Sequence, residues 1–227
     1  MRGGKTKTGY TITEVLIVLA ISSAMFIAAN AFISGRVAET SFRTGVNEMA
    51  SRLQDIINQV SSGQFSDRPL NCSIDPLGNI NPVAGTNEQA TKKDCIYLGK
   101  KIKFSISDPK YIIATLAGKR LDGVQLSAIG LKEVSVIETS NVISGGLYPT
   151  DNKTFGFVLN PDGSLGDSSL SAQNILLIDA DNNIINNTTG LSVCLTNGRF
   201  SAKVTVGDNK NVLGVKTDFF YGRTNCT

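Results

Sequence analysis

The sequence predicts an α+β fold: a long N-terminal helix, half of membrane character and half amphipathic, packed on an antiparallel β-sheet head. Three observations carry that expectation. Residues 15–35 contain no Asp, Glu, Lys or Arg. A mostly apolar run of that length reaches about 30 Å as a helix, the hydrocarbon thickness of a bilayer. Phe42, Val46, Met49, Leu53, Ile56, Ile57 and Val60 then step by three and four, the spacing of one helix face. No long helical period returns after residue 62; short alternating runs punctuated by turn residues take its place, most clearly around Asn197-Gly198. The chain of 227 residues, 41% hydrophobic, is long enough for one domain with a core plus an appended helix.

The first nine residues carry Arg2, Lys5 and Lys7 and end at Gly9; Tyr10-Thr11-Ile12-Thr13-Glu14 follows. A secretory signal places its small-residue cleavage site after the apolar core. Here the small residue stands before the core, so a cut after Gly9 would leave the helix on the product. Gly9 has no Cβ and lets a backbone enter a tight cleft. Glu14 is the one carboxylate at the edge of the apolar run. Carried into a bilayer or an apolar core, it would cost roughly 2.5–3.5 kcal/mol and require a partner. Thr11-x-x-Glu14 also has the form of a capping box with Thr11 as the N-cap. Hydropathy by itself would fit a plain single-span anchor.

The order of events in GYTITEVLIVLAIS, from Gly9 to Ser22, resembles the type III leader of type IV prepilins and pseudopilins. These have a short basic leader, Gly at the cut, an aromatic or apolar residue next, and Glu at the fifth mature position. The resemblance covers residues 5–35, and Tyr10 departs from the Phe or Met most common at its position. It implies a leader peptide at 1–9, cut between Gly9 and Tyr10 by a membrane aspartyl prepilin peptidase that also methylates the new Tyr10 amine. It further implies an assembly role for Glu14, facing the charged amine of a neighbouring subunit.

The expected domains after the leader are a transmembrane or filament-core helix at 10–35, an amphipathic helix at 36–62, and an extracellular β-rich head at 63–227. Arg36, Glu39, Arg43, Glu48, Arg52 and Asp55 lie opposite the apolar face of the second helical segment. Its Glu39/Arg43 and Glu48/Arg52 pairs have the favourable i,i+4 order, each worth about 0.3 kcal/mol. Gly35 and Gly45 are the expected points of bending, and Ser61-Ser62-Gly63 the expected end. Residues 63–95, with Pro69, Pro76, Gly78, Pro82 and Gly85, read as a long loop.

Strands are expected at Cys95–Gly99 and at 101–107, the latter with Ile102, Phe104 and Ile106 on one face, and at Tyr111–Leu116 and Val134–Ile137. Leu126–Leu131 is ambiguous. Phe155–Leu159 is expected to turn through Asn160-Pro-Asp-Gly-Ser toward Leu165. Ile175–Ile178 reads as a short buried strand. Leu191–Thr196 and Arg199–Val206 form the clearest hairpin, with Asn197-Gly198 as its turn.

Cys72, Cys95, Cys194 and Cys226 never form C-x-x-C, and zinc would want closer ligand spacing. Beyond a membrane they read as two disulfides. Three connectivities are open; Cys72–Cys95 and Cys194–Cys226 are favoured because each closes a local loop. Many pilins carry a comparable C-terminal cysteine loop. The net charge of +3 disappears if residues 1–9 are removed, which weakens any case for bulk attraction to nucleic acid or lipid. Histidine is absent, and with it the commonest general base and zinc ligand. Lys92, Lys93, Lys100, Lys101 and Lys103, interleaved with Tyr97 and Phe104, could grip phosphates. Alternation would equally leave them on the solvent face of a strand as edge protection. Asp179-Ala-Asp181-Asn182-Asn183 has the alternate oxygens of a calcium loop but lacks its glycine and bidentate Glu, and a polar turn explains it equally well. No nucleophile elbow, phosphate loop or recognisable acid pair occurs, so the sequence points to no enzyme, cofactor or metal.

The expected function is that of a structural subunit of a type IV pilus-like filament, a minor pilin or pseudopilin, serving adhesion, twitching motility or DNA uptake. The implied partners are the prepilin peptidase, other pilin subunits and the assembly platform in the membrane, with DNA or a host surface as a further contact. The chain would sit in the cytoplasmic membrane with its leader inside, then in an extracellular filament. The other readings are a pseudopilin of a type II secretion system and a membrane-anchored extracellular β-domain that binds a ligand without polymerising.

Overall fold

The structure is a computed structural model. It describes residues 10–63, 70–74, 76, 80–84, 95–121, 125–160, 175–185, 190–207, 213–221 and 226; for 70–74, 80, 82–84, 95–97, 118–121, 125–132, 134–137 and 221 it describes the backbone alone. Gly9 and the leader, the Cys72 and Cys95 side chains, Lys92, Lys93 and residues 161–165 of the expected turn after Asn160 lie outside the described residues. The chain divides into two compact units, Met1–Ser41 and Phe42–Thr227.

Helix α1 spans Ile12–Ser61. Within the first unit it carries only exposed large apolar side chains, among them Leu16, Leu19, Met25, Phe26, Phe32 and Ile33. By length and composition the helix is long and apolar enough to cross a membrane, and its most apolar stretch is unburied. Ser23 and Ser34 donate to the carbonyl oxygens of Leu19 and Asn30 at 2.8 and 2.7 Å. Their hydroxyls are thereby satisfied inside the helix, as an apolar environment demands.

The second unit contains the last five turns of α1 and the β head. Phe42, Val46, Met49, Leu53, Ile56, Ile57 and Val60 are all buried, so the three-and-four spacing identified the packed face correctly. Gly45 joins them. It is no hinge: α1 continues through it, and a Cβ there would lie 2.5 Å from the Ser144 carbonyl oxygen. Glycine is what lets the helix approach a 3-10 turn at Ser144–Gly146.

The described strands are β1 (Leu70–Ile74), β2 (Ile80–Ala84), β3 (Cys95–Phe104), β4 (Lys110–Leu121), β5 (Gln125–Val142), β6 (Tyr148–Pro149), β7 (Lys153–Leu159), β8 (Ile175–Ile178), β9 (Ile184–Ile185), β10 (Leu191–Thr196), β11 (Phe200–Val206) and β12 (Val215–Tyr221). They form a β1-β2 ribbon, a six-stranded sheet β5-β4-β3-β7-β8-β9, and a four-stranded sheet β12-β11-β10-β6. Every described pairing is antiparallel. The result is the pilin-like α+β arrangement expected from the sequence.

The main core joins the buried face of α1 to Ile102, Phe104, Phe155, Phe157 and Leu177 of the larger sheet and to Val193, Leu195, Ala202, Val204 and Val206 of the smaller one. Phe42 belongs to this core, 5.5 Å from the Phe200 ring and edge-on to Phe219 at 6.2 Å. The guanidinium of Arg43 lies over Phe219 at 5.0 Å. On the opposite face of the six-stranded sheet, Leu98, Leu116, Val158, Leu176 and Ile178 form a second buried cluster.

Several expectations are corrected. Residues 63–95 are not wholly a loop, because β1 and β2 pair there with Cys72 opposite Pro82; a two-stranded ribbon has free edges, where proline is tolerated. The two strands expected at Cys95–Gly99 and 101–107 are one strand, β3, with a register shift between Tyr97 and Gly99. It ends at Phe104, and Ile106 is exposed in a turn. Val134–Ile137 and Leu126–Leu131 both belong to β5. Residues 191–206 form the expected hairpin, but its central pair is Gly198-Arg199, with Asn197 and Phe200 flanking. Gly198 has φ 85°, the left-handed value required at the first central position of a II′ turn. Asn197 contributes its side chain instead, accepting from the amides of Arg199 and Phe200, both at 3.0 Å.

Candidate functional site

The start of α1 is the first candidate. Thr11 lies just before the helix, and its hydroxyl accepts from the Glu14 amide at 3.3 Å, which is the N-cap half of the expected box. Thr13 also approaches the Thr11 hydroxyl, at 3.1 Å. The Glu14 side chain is exposed, as is Tyr10 at 82%. Among the described residues nothing accepts the role of counter-ion to Glu14.

The second candidate is built around Lys101. In β3 it pairs with Ala114 on one side and Gly156 on the other, so its backbone is held by both neighbouring strands. Its side chain is 3% exposed and shares a sheet face with the second core cluster. The ammonium donates to the Ala180 carbonyl, lies 2.8 Å from Asn182 Oδ1, and ion-pairs with Glu133 Oε1 at 2.8 Å. Three acceptors match the three protons of an ammonium. The other Glu133 oxygen pairs with Lys103, which also reaches Glu138 at 3.6 Å.

Electrostatics follow from this geometry. Burial on its own would push the Glu133 carboxyl up, but the hydrogen bonds and charges of Lys101 and Lys103 outweigh it and hold the group below the usual carboxylate range. Its hydrogen bond to Glu133 raises Lys103 against the opposing effect of burial.

The polar run 179–183 is therefore a turn that receives a lysine. Asp179 accepts from the amides of Asp181 and Asn183 at 2.8 Å each and from Asn183 Nδ2 at 3.1 Å. These bonds outweigh desolvation and depress its pKa. Asn182 takes a positive φ of 67° at the head of the turn. Among the described residues no cluster of three or more metal-ligating side chains occurs.

The lysines of the basic cluster do not share one solvent face. Lys100 points to the helix side and donates to Gln59, Lys101 is buried, and Lys103 is engaged by Glu133 and Glu138. Alternation from Ile102 and Phe104 assigned Lys101 and Lys103 to the right face; what it missed is that this face is covered. The missed signal was in Phe155–Leu159 and Ile175–Ile178, whose unbroken apolar runs mark strands buried on both sides.

Two further features complete the head. Cys194 and Cys226 are bonded, with Cα atoms 5.7 Å apart, as expected for one of the two favoured bridges. A small cleft is lined by Glu48 and Arg52 of α1, Tyr111 of β4, and Asn141 and Val142 of β5. Burial raises the Tyr111 hydroxyl pKa there, with Glu48 adding to the effect and Arg52 opposing it. Compared with known proteins, the chain matches no family model, no curated protein and no solved structure.

Proposed function

We propose that this chain is a structural subunit of a type IV pilus-like filament, a minor pilin or pseudopilin, cut after Gly9 and assembled through residues 10–60. The observation that carries the reading is the double character of α1. Its second half is fully used inside the head, while its first half exposes apolar side chains and one carboxylate near the amine that cleavage would create. Side-by-side packing of such helices would bury the apolar surface and give each Glu14 a neighbouring Tyr10 amine as counter-ion. The head, with its own core and disulfide, would be displayed outside for adhesion, motility or DNA contact. The prepilin peptidase and the membrane assembly platform are the partners this route requires.

Mass spectrometry of the mature protein tests the processing step, since the chain must begin at Tyr10; any other start refutes it. Glu14→Ala tests assembly: membrane insertion should be retained and incorporation into sheared surface fibres lost. Normal incorporation would reduce Glu14 to a helix-cap residue. A wild-type chain that stays entirely with the membrane after shearing would instead identify an anchored, non-polymerising binding domain.

A further inference from the structure

We propose that Lys101 and Asn182 form an intramolecular amide crosslink with Glu133 as the proton carrier. The proposal stands on the head alone and does not rest on the filament reading. The three groups that such a reaction needs are already assembled. Lys101 Nζ is 2.8 Å from Asn182 Oδ1, with the electrophilic Cγ one bond behind that oxygen, and 2.8 Å from Glu133 Oε1.

Each partner is fixed by a different device. Lys101 is locked in β3 between two paired strands, and Asn182 is held by the Asp179 turn. Glu133 is oriented by Lys103, which takes its second oxygen. Reacting groups held near contact distance convert a slow bimolecular aminolysis into an intramolecular one, with effective molarities on the order of 10⁵ M or more. The amine end of the site is dry, while Glu133 keeps 26% exposure and Asn182 is half-buried at its rim. Lys101 is 2% exposed, and Leu98, Leu116, Val158 and Ile178 on the same sheet face are fully buried, which protects the amine from competing solvation and the intermediate from hydrolysis.

The step balances without an added reagent. Glu133 removes a proton from the Lys101 ammonium, and the freed lone pair attacks Asn182 Cγ to give a tetrahedral intermediate. The Nζ–Cγ bond is made and the Cγ–Nδ2 bond breaks. A second Nζ proton and the one held by Glu133 pass to the departing nitrogen, which leaves as ammonium. Glu133 returns to carboxylate, and no oxidation state changes. The product ties β3 to the β8–β9 turn across 81 residues of sequence. The six-stranded sheet would then have its own covalent brace, as the four-stranded sheet has Cys194–Cys226.

Peptide mapping of the purified full chain under reducing conditions is the test. The expected wild-type product is one branched peptide joining the segments that carry Lys101 and Asn182, lighter than their sum by one ammonia, with no proteolytic cut after Lys101. Asn182→Gly tolerates the positive φ and removes the electrophile, and should give two linear peptides with a free Lys101. Glu133→Gln should leave most of the protein linear, while Lys216→Gln, on β12 of the other sheet, still crosslinks. Linear wild-type peptides with a free Lys101 amine overturn the proposal. So does loss of ammonia with both peptides linear, the mark of a succinimide at an asparagine. Crosslinking undiminished in Glu133→Gln removes the assigned role of the carboxylate.

Discussion

Gly45→Ala pits two well-understood effects against each other. In an exposed helix the change would stabilise by about 1 kcal/mol, the propensity gap between the two residues. At Gly45 the new methyl would lie 2.5 Å from the Ser144 carbonyl oxygen and 3.0 Å from Leu147 Cδ1. The first distance is far inside the roughly 3.5 Å at which non-bonded heavy atoms are comfortable. Its partner is backbone, so no rotamer change relieves it; α1 or the Ser144–Gly146 turn must shift. Overpacking of this kind costs about 1–3 kcal/mol, and the backbone contact favours the upper part of that range, leaving a net loss of about 1–2 kcal/mol. For a domain of this size that lowers the melting temperature by roughly 2–8 °C. Differential scanning calorimetry of the detergent-purified chain is the assay, with Gly35→Ala as the control, since a Cβ at Gly35 meets nothing within 4 Å. A Gly45→Ala protein melting at or above wild type would refute the close-approach account and restore Gly45 as a flexible point.

Phe42→Ala removes the ring between Phe200 and Phe219 and should destabilise by about 3–5 kcal/mol with an unchanged urea m-value. Replacing Cys194 and Cys226 by Ser opens a loop with a sequence separation of 32 and should cost roughly 3–4 kcal/mol on the chain-entropy model; with both proteins reduced, wild type and variant should unfold at the same midpoint. Because the folded pKa of Glu133 is depressed, its contribution is complete above the unfolded value near 4.5 and is lost as pH falls through the folded one. Acid titration of stability should therefore show a shallower loss below that value in Glu133→Gln than in wild type.

The helix was readable in the sequence because both of its halves are local patterns. An uncharged run and a three-and-four spacing need no knowledge of the partner surface, and every residue of the predicted face is buried. The Asn197 region shows the limit of local turn chemistry. Asn-Gly identified the hairpin, but a one-residue shift put Asn197 outside the central pair because its side chain bonds two amides. The Lys101 site failed to appear for a different reason. Its parts come from β3, β5 and the β8–β9 turn, and alternation tells which face a lysine is on, never what lies over that face. Gly45 read as a point of bending because nothing local reveals that Ser144 packs against it. Cys72–Cys95 is untouched by these findings.

The exposed half of α1 sets the remaining constraint on the molecule. Fourteen large apolar side chains between Tyr10 and Val37 are exposed. At about 1.5–3 kcal/mol each, leaving them in water forgoes roughly 20–40 kcal/mol, more than the 5–15 kcal/mol by which a typical domain is stable. Lipid tails or the same surface on other helices are the two surroundings that would recover that burial. Those two solutions treat Glu14 differently. A bilayer holds the end of a helix at its headgroups, where a carboxylate stays hydrated, so Glu14→Ala would be neutral or would favour insertion. A lipid-free helical bundle offers no water there, and the carboxylate must meet a cation. The only positive group that cleavage after Gly9 would put within four residues of Glu14 is the amine of Tyr10, and a neighbouring copy carries the same one. The response of fibre formation to Glu14→Ala thus distinguishes the two environments by a sign, not a magnitude.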